Sequence, residues 1–518
     1  MRASEPGTTR PRLSLAVLSL VLFVTFLDNT IVAVALANIQ IDLHANITSL
    51  QWVVSGYALT FAALMLTFGT LGDHFGRRLV MVLGLIVFTA GSLLGLLATS
   101  VGVLIGARVI MGIGAAASEP GTLSMIRQLY PDRAERAQAL GVWSAISGLA
   151  LAAGPVIGGA LVGAWSWRGV FAFNVAIGVV ALAGVRLILP ESVTPRHQRL
   201  DIPGFFWAAA AVTAATFATI EGETQGYHVW WVDAMYAFAV VALVMFVLVE
   251  RRAAEPVLDL RFFRERAFSA GIVVAFTAFF ATFAVFFFVP LFVQLIGTAS
   301  SFDVVIDFLP MAVALILASA LSGRWIGKVG PGVPMGVGCF VAGFGILVTN
   351  AFIQPTSGVG LLGWSLAIVG AGLGIAMVAA TASVLGVVPA ARSGMAASAV
   401  NTSRELGAVA GVTVLGAIVN AQLTGNLLHR LAAIPGLPPS IRDQVVVAVT
   451  TGAANTQASS LPKTGPIAKI VNEVVAAAEG AFSHGLDVVL LISGSLMLMS
   501  GLFATGLVRR WRATTLDE

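Results

Sequence analysis

The sequence predicts an all-α integral membrane protein of fourteen transmembrane helices, and three features carry that prediction. Apolar residues fill 58% of the 518 positions and charged residues 10%, with a mean hydropathy of +0.94; soluble domains carry about 25% charged residues. Fourteen apolar runs follow one another along the chain, each near the ~20 residues a helix needs to cross ~30 Å of hydrocarbon. The basic residues between the runs fall mostly on one face, as the positive-inside rule requires of cytoplasmic loops.

The runs span 14–37, 50–71, 79–98, 102–125, 138–162, 168–189, 203–221, 233–250, 268–292, 304–323, 334–352, 359–385, 395–420 and 485–508. With the N-terminus in the cytoplasm, 22 of the 29 Lys and Arg lie on the cytoplasmic face, five lie outside, and Arg108 and Arg404 lie within runs. Both tails, 1–13 and 509–518, are then cytoplasmic. The first run is too long for a signal-peptide core and lacks a small-residue cleavage site, so it reads as an uncleaved span. The long connection 421–484 holds Pro435, Pro438 and Pro439 and an apolar-periodic stretch from Ile467 to Phe482. It reads as an external cap of interfacial helices, either a passive lid or a ligand-binding one.

A net charge of +4 and a pI near 9.6 do not point to nucleic acid, because the basic residues sit in short loops rather than one patch. The single cysteine, Cys339, lies inside an apolar run, which excludes an intramolecular disulfide.

The stretch from Gly69 to Met81 is a charged, glycine-punctuated turn between the second and third runs, and Arg77 and Arg78 place it in the cytoplasm. Gly323 to Gly330, after the tenth run, is a degenerate second copy with Gly327 at the aspartate position. Repeated halves around a midplane site are the geometry of alternating access. The chain therefore divides into a six-helix bundle over 14–190, a segment 191–266 carrying two additional central helices, and a second six-helix bundle over 267–508.

Several motifs carry a family resemblance. Gly69, Leu71, Asp73, Gly76, Arg77 and Arg78 are in register with the cytoplasmic loop signature of the major facilitator superfamily. Leu27 to Ala37, with Asp28 and Thr30, resembles the first-span pattern of fourteen-span drug:proton antiporters, although Ala33 and Ala37 replace its Asn and Pro. Leu104, Arg108, Gly112, Gly114, Ala115 and Ala116 resemble the fourth-span pattern, with Met111 in place of Gln. Gly154, Pro155, Gly158 and Gly159 resemble the fifth-span antiporter signature, Ala150 standing where its first glycine is expected. Trp165 to Phe171 with Asn174 extends the likeness, which is looser in the C-terminal half, through Leu309-Pro310, Gly407 and Gly411. The resemblance implies the major facilitator fold, protons as the coupling ion, amphipathic or cationic small molecules as substrate and no cofactor.

By helix rise, Asp28 lies roughly 13 Å and Arg108 roughly 9 Å from the outer ends of their spans, so the two side chains can meet. Ionisable residues in spans face water, a partner or a functional path. Burial and a neighbouring guanidinium act oppositely on a carboxyl's proton affinity, so helix movements that change their separation would load and release a proton; the competing reading is a fixed ion bridge. Glu119, before Pro120, is deeper and either binds cationic substrate or faces a cytoplasmic vestibule as a solvated charge. Arg404 and Glu405 are adjacent mid-span, point about 100° apart, and each needs its own partner. Asp307 is either a second proton or cation site or an externally solvated acid. Gly154, Pro155, Gly158 and Gly159 permit close helix contact and a bend, serving as a hinge or as plain packing. Asp73, Arg77 and Arg78 read as a cytoplasmic latch on neighbouring helix ends, and Phe279, Phe280, Phe283, Phe286, Phe287 and Phe288 either line an apolar pocket or pack against helices and lipid.

The leading function is a proton-driven exporter of amphipathic compounds. Export of an endogenous lipid, siderophore or metabolite is the alternative, and a symporter is disfavoured by the Gly154 to Gly159 signature. No Gly-x-x-x-x-Gly-Lys-Ser/Thr loop is present for ATP. Six scattered histidines and one cysteine supply no catalytic or metal constellation, which speaks against a membrane enzyme.

Overall fold

The computed structural model describes residues 11–45, 47–191, 201–227, 229–253, 256, 258–295, 301–353, 359–389, 392–432 and 466–508. Among these residues every regular element is helical, as a chain in hydrocarbon must be when it is not a closed barrel. The N-terminal half comprises α1 (Pro11–Leu43), α2 (Ile47–Phe75), α3 (Arg77–Leu96), α4 (Val101–Ser118), α5 (Pro120–Leu129), α6 (Arg133–Ala164) and α7 (Arg168–Ile188). The central hairpin is α8 (Ile202–Gln225) and α9 (Trp230–Arg252), followed by a short 3₁₀ turn, Leu260–Arg264. The C-terminal half comprises α10 (Arg266–Phe283), α11 (Val289–Leu295), α12 (Ser301–Val329), α13 (Gly332–Phe352), α14 (Val359–Val387), α15 (Ser393–Ala432) and α16 (Pro466–Val508).

Twelve helical segments among the described residues are long and apolar enough to cross a membrane. The remaining two runs read from the sequence are helical as α2 and α6, but their apolar windows, Ser49–Met65 and Gly141–Ala150, are shorter. Two spans are interrupted. The fourth breaks between Ser118 and Pro120, where proline sits at the first position of α5 and has no N–H to give the ladder. The ninth contains a π-helical turn, Ala284–Phe288, between α10 and α11, a device frequent at functional sites.

The halves repeat one another in detail. Gly76 (φ 110°) and Gly330 (φ 79°) end the two copies of the loop, each in the backbone region that favours glycine. Gly154 and Gly158 let α6 lie against Thr30 and Ile31 of α1, and Gly407 and Gly411 let α15 lie against Phe276 and Phe280 of α10. A Cβ on Gly158 would sit 2.8 Å from the Ile31 carbonyl oxygen, and one on Gly411 would sit 2.7 Å from that of Phe280. Both pairs are four residues apart, one helical turn, and occupy corresponding helices. Between the halves, α6 meets α12 and α2 meets α15, while α8 of the hairpin leans on α2 and α15.

The long connection is shorter than the hydropathy reading made it. Helix α15 runs on through 421–432 and α16 begins at Pro466, so the apolar-periodic stretch from Ile467 to Phe482 is the start of a continuous 43-residue helix rather than a separate interfacial one. Hydropathy marks where a helix crosses hydrocarbon, whereas its hydrogen-bond ladder continues into water, and 43 residues reach about 65 Å. Residues 433–465 and both tails, 1–10 and 509–518, lie outside the described residues.

At the end of the N-terminal half opposite the Gly69 to Arg78 loop, the Trp167 indole N–H and the Arg168 guanidinium donate to one carboxylate oxygen of Asp42, at 2.9 and 2.7 Å, and Arg168 also reaches the Ala98 carbonyl. The clip ties α1, the α3–α4 turn and α7. The Trp167 and Arg168 hydrogen bonds, with the guanidinium charge, hold the Asp42 carboxyl below its usual range. A depressed folded-state value means the clip's contribution is full above the free-carboxyl pKa of about 3.9 and is lost as pH falls through the folded value. Asp42→Asn is therefore expected to lower the melting temperature slightly at pH 6, with the gap to wild type closing as the pH approaches 3. A gap that stays constant across that range would show that the carboxylate charge contributes nothing.

Candidate functional site

Two buried polar clusters meet near the middle of the bundle. In the first, Asp28 of α1 and Arg108 of α4, both essentially inaccessible, form an ion pair. The Asn174 amide of α7 donates to the other Asp28 oxygen at 2.6 Å. Arg108 spends its Nε on the Val53 carbonyl of α2 at 2.8 Å, and its guanidinium lies 4.4 Å from the Tyr57 ring centroid. The Tyr57 hydroxyl in turn donates to the Thr25 carbonyl at 2.9 Å. Four helices thus satisfy one charge pair. Such satisfaction is what a charge needs in an oily interior, since removing one member of a buried pair costs ~3–5 kcal/mol.

The second cluster crosses between the halves. Asn401 of α15 donates to Glu119 Oε1 at 2.8 Å, and Asn29 of α1 lies 3.4 Å from Glu405 Oε1 of α15. Arg404 donates to the Thr381 hydroxyl at 2.6 Å and reaches Asn401 Oδ1 at 3.5 Å, with its guanidinium 5.6 Å from the Phe279 ring centroid. Glu119, Arg404 and Glu405 are all at most 2% exposed. Glu119 Oε2 and Glu405 Oε2 have no hydrogen-bond partner among the described residues. The two clusters together hold three carboxyl groups and two guanidiniums. Trp143 of α6 supports the bend below Glu119 by donating to Thr122, whose hydroxyl donates to the Glu119 carbonyl.

Residues 18–412 match the family model described as Major Facilitator Superfamily. The chain belongs to the Major Facilitator Superfamily. The chain is 32% identical over 482 residues to the multidrug resistance protein Stp of Mycobacterium tuberculosis, covering 93% of this chain and 89% of that one. It is 30% identical over 498 residues to the tetracenomycin C resistance and export protein of Streptomyces glaucescens, with 96% and 91% covered. In fold it resembles an inward-facing, unoccupied bacterial homologue of the human lysosomal transporter Spinster, at a TM-score of 0.64 and 17% identity over 99% of this chain and 100% of that one.

In this major facilitator chain, Asp28 and Arg108 meet as their depths predict. Arg404 and Glu405 have separate partners, as adjacent helix positions require. Two readings change. Glu119 is fully buried and hydrogen-bonded, so it is not a solvated vestibule charge; the Pro120 break turns it inward, toward α15. Asp307 is 3% exposed, which removes the externally solvated alternative. It lies beside Gly363 of α14.

Five of the six phenylalanines, all but Phe287, are buried, so for them lipid exposure is excluded. Phe279 packs edge-on against Phe26 of the other half, at 6.3 Å between centroids. Of the loop, Arg77 donates to the Ser124 carbonyl in the middle of α5 at 3.0 Å, and Arg78 donates to the Arg186 carbonyl in the last turn of α7, where a cation suits the helix C-terminus. Both carbonyls belong to the N-terminal half. The contact with the other half comes from Gly69, where a Cβ would sit 2.7 Å from the Ser398 hydroxyl of α15. The Asp73 and Pro155 side chains lie outside what the structure describes; both residues are helical, and Gly159 is buried.

Sequence reasoning missed Asn29, Tyr57, Thr381 and Asn401. Asn401 was findable: positions 401, 404 and 405 are spaced i, i+3, i+4, one face of a helix. Tyr57 carries no such signal, because a lone tyrosine in an apolar run reads as core.

Proposed function

We propose that this chain is a proton-coupled exporter of amphipathic or cationic drugs and other toxic compounds across the bacterial plasma membrane. It works by alternating access of two six-helix bundles with two additional central helices, fourteen spans in all and both termini cytoplasmic. The observation that carries the reading is the cross-half second cluster. Buried acids from opposite halves each hold an amide of the other half, and each keeps one oxygen for another cation. Separation of the halves breaks these bonds, so occupancy by a proton or a cationic substrate is tied to the movement. The multidrug and antibiotic resistance relatives support drugs as the cargo, and Phe26, Phe279 and the other buried rings supply apolar surface beside the charges. In this reading Asp28 and Arg108 form the proton-coupling pair, Gly154 and Gly158 the sliding contact, and the Gly69 to Arg78 loop the cytoplasmic gate.

The test is transport in proteoliposomes under an imposed pH step, with a panel of lipophilic cations. Glu119→Gln is expected to reduce cation export about 10–100-fold, the equivalent of one charge-assisted hydrogen bond of ~1.5–3 kcal/mol, while neutral substrates lose much less. Failure of folded, correctly oriented protein to move any compound, or wild-type cation export by Glu119→Gln, would overturn the assignment.

A further inference from the structure

The four best-placed arginines outside the midplane site converge on one concavity. A cleft of about 300 Å³ lies where α9 ends, lined by Glu250, Arg251, Asp259, Arg261, Arg264 and Arg392. Four guanidiniums face two carboxylates there. One carboxylate is committed to structure: Asp259 accepts from Arg392 at 2.5 Å and from the Arg261 backbone N–H at 3.0 Å, fixing the 3₁₀ turn against the start of α15. The other, Glu250, is 4% exposed and accepts from the Leu258 backbone N–H at 3.4 Å. Among the described residues Arg251, Arg261 and Arg264 form no ion pair, and all three are exposed.

Their position is equally specific. Arg251 is the penultimate residue of the span Trp230–Arg252, Arg264 lies two residues before the span Arg266–Phe288, and Arg392 lies three before the span that begins at Met395. At 1.5 Å per residue the backbones of these arginines stand within about 5 Å of the ends of apolar spans, and span ends lie toward the polar headgroup region of a bilayer. Arginines chosen only to set topology have no need to share a cavity. Guanidinium forks match phosphate oxygens bidentately, and basic pockets between span ends bind anionic headgroups.

We propose that this cleft binds a phosphate ester, supplied by the headgroup of an anionic phospholipid. The bound headgroup joins the central hairpin, through Arg251, to the 3₁₀ turn that precedes α10, through Arg261 and Arg264, and to the start of α15, through Arg392. This inference stands independently of the transported substrate, since its readout is binding.

The experiment uses the full chain in nanodiscs of phosphatidylcholine alone or with added phosphatidylglycerol or diphosphatidylglycerol, followed by native mass spectrometry of retained lipid. Parallel phosphatidylcholine samples receive inorganic phosphate or glycerol phosphate. Wild type is expected to retain anionic lipid, and Arg261→Gln/Arg264→Gln to weaken that retention about tenfold or more. Arg324→Gln, at an exposed end of α12, should retain lipid as wild type does. The altered side chains are exposed, so the double variant should stay monodisperse. Equal loss in Arg324→Gln, or unchanged retention in the double variant, would overturn the proposal. Saturation by soluble phosphate at affinities matching the lipid would uphold phosphate recognition and assign it to a soluble ester instead.

Discussion

Asp28→Asn, inserted at wild-type levels, is expected to reduce pH-driven export to the background of empty liposomes while exchange of substrate at equal pH on both sides continues. The variant keeps the shape of the side chain and its contact with Asn174, but it leaves Arg108 buried beside a neutral amide. Removing one member of a buried pair costs ~3–5 kcal/mol, so a lowered melting temperature is expected as well. A fixed bridge that merely ties α1 to α4 predicts the same loss of stability. The double variant Asp28→Asn/Arg108→Gln separates the two readings, because it removes the uncompensated charge. A structural bridge predicts that the double variant recovers stability and pH-driven export together. A proton path predicts that stability returns and coupling does not. The double variant also gives up the guanidinium's contacts with the Val53 carbonyl and the Tyr57 ring of α2, and Arg108→Gln measured alone reports that loss.

The legible part of this protein was whatever hydrocarbon forces into the sequence. Span positions, the repeat, the loop glycines and the isolated span charges are all consequences of burying a chain in lipid, and each leaves a local mark. Gly76 and Gly330 were visible as partners because the same backbone turn is required twice. Asp28 and Arg108 were visible because charges in apolar runs are costly, and their depths followed from counting residues. The partners of those charges were less legible. Asn29 bonds to Glu405 across 376 residues and Asn401 to Glu119 across 282, and no periodicity encodes which helix of one half faces which helix of the other. The ends of α15 and α16 were misplaced for a different reason, since hydropathy falls silent where a helix leaves the bilayer. The burial of Asp307 belongs with the first failure, because its environment depends on how α12 rotates against α14.

Gly158→Leu is expected to abolish transport. A Cβ at this position would lie 2.8 Å from the Ile31 carbonyl oxygen and 3.1 Å from the Ile31 side chain, and at Gly154 it would lie 2.9 Å from the Ile31 backbone N–H nitrogen. The obstructing atoms are mostly backbone, so they cannot move aside as a flexible side chain would; α6 must withdraw from α1. Overpacking of this kind costs ~1–3 kcal/mol, an amount the folded bundle survives. Its functional effect is larger than its energetic one, because α1 carries Asp28 and Asn29 immediately before the contact with Thr30 and Ile31. Pushing α1 away from α6 displaces Asp28 and the Asn29 amide that meets Glu405 in one step. Gly163, at the C-terminal end of the same helix, has open space around its missing Cβ, so Gly163→Leu is the matched control and should export normally. A folded Gly158→Leu protein with wild-type export would mean that α1 and α6 are loosely apposed during the cycle. The reading of Gly154 and Gly158 as the contact on which the halves' movement depends would then fail, while the charge network would stand on its own test.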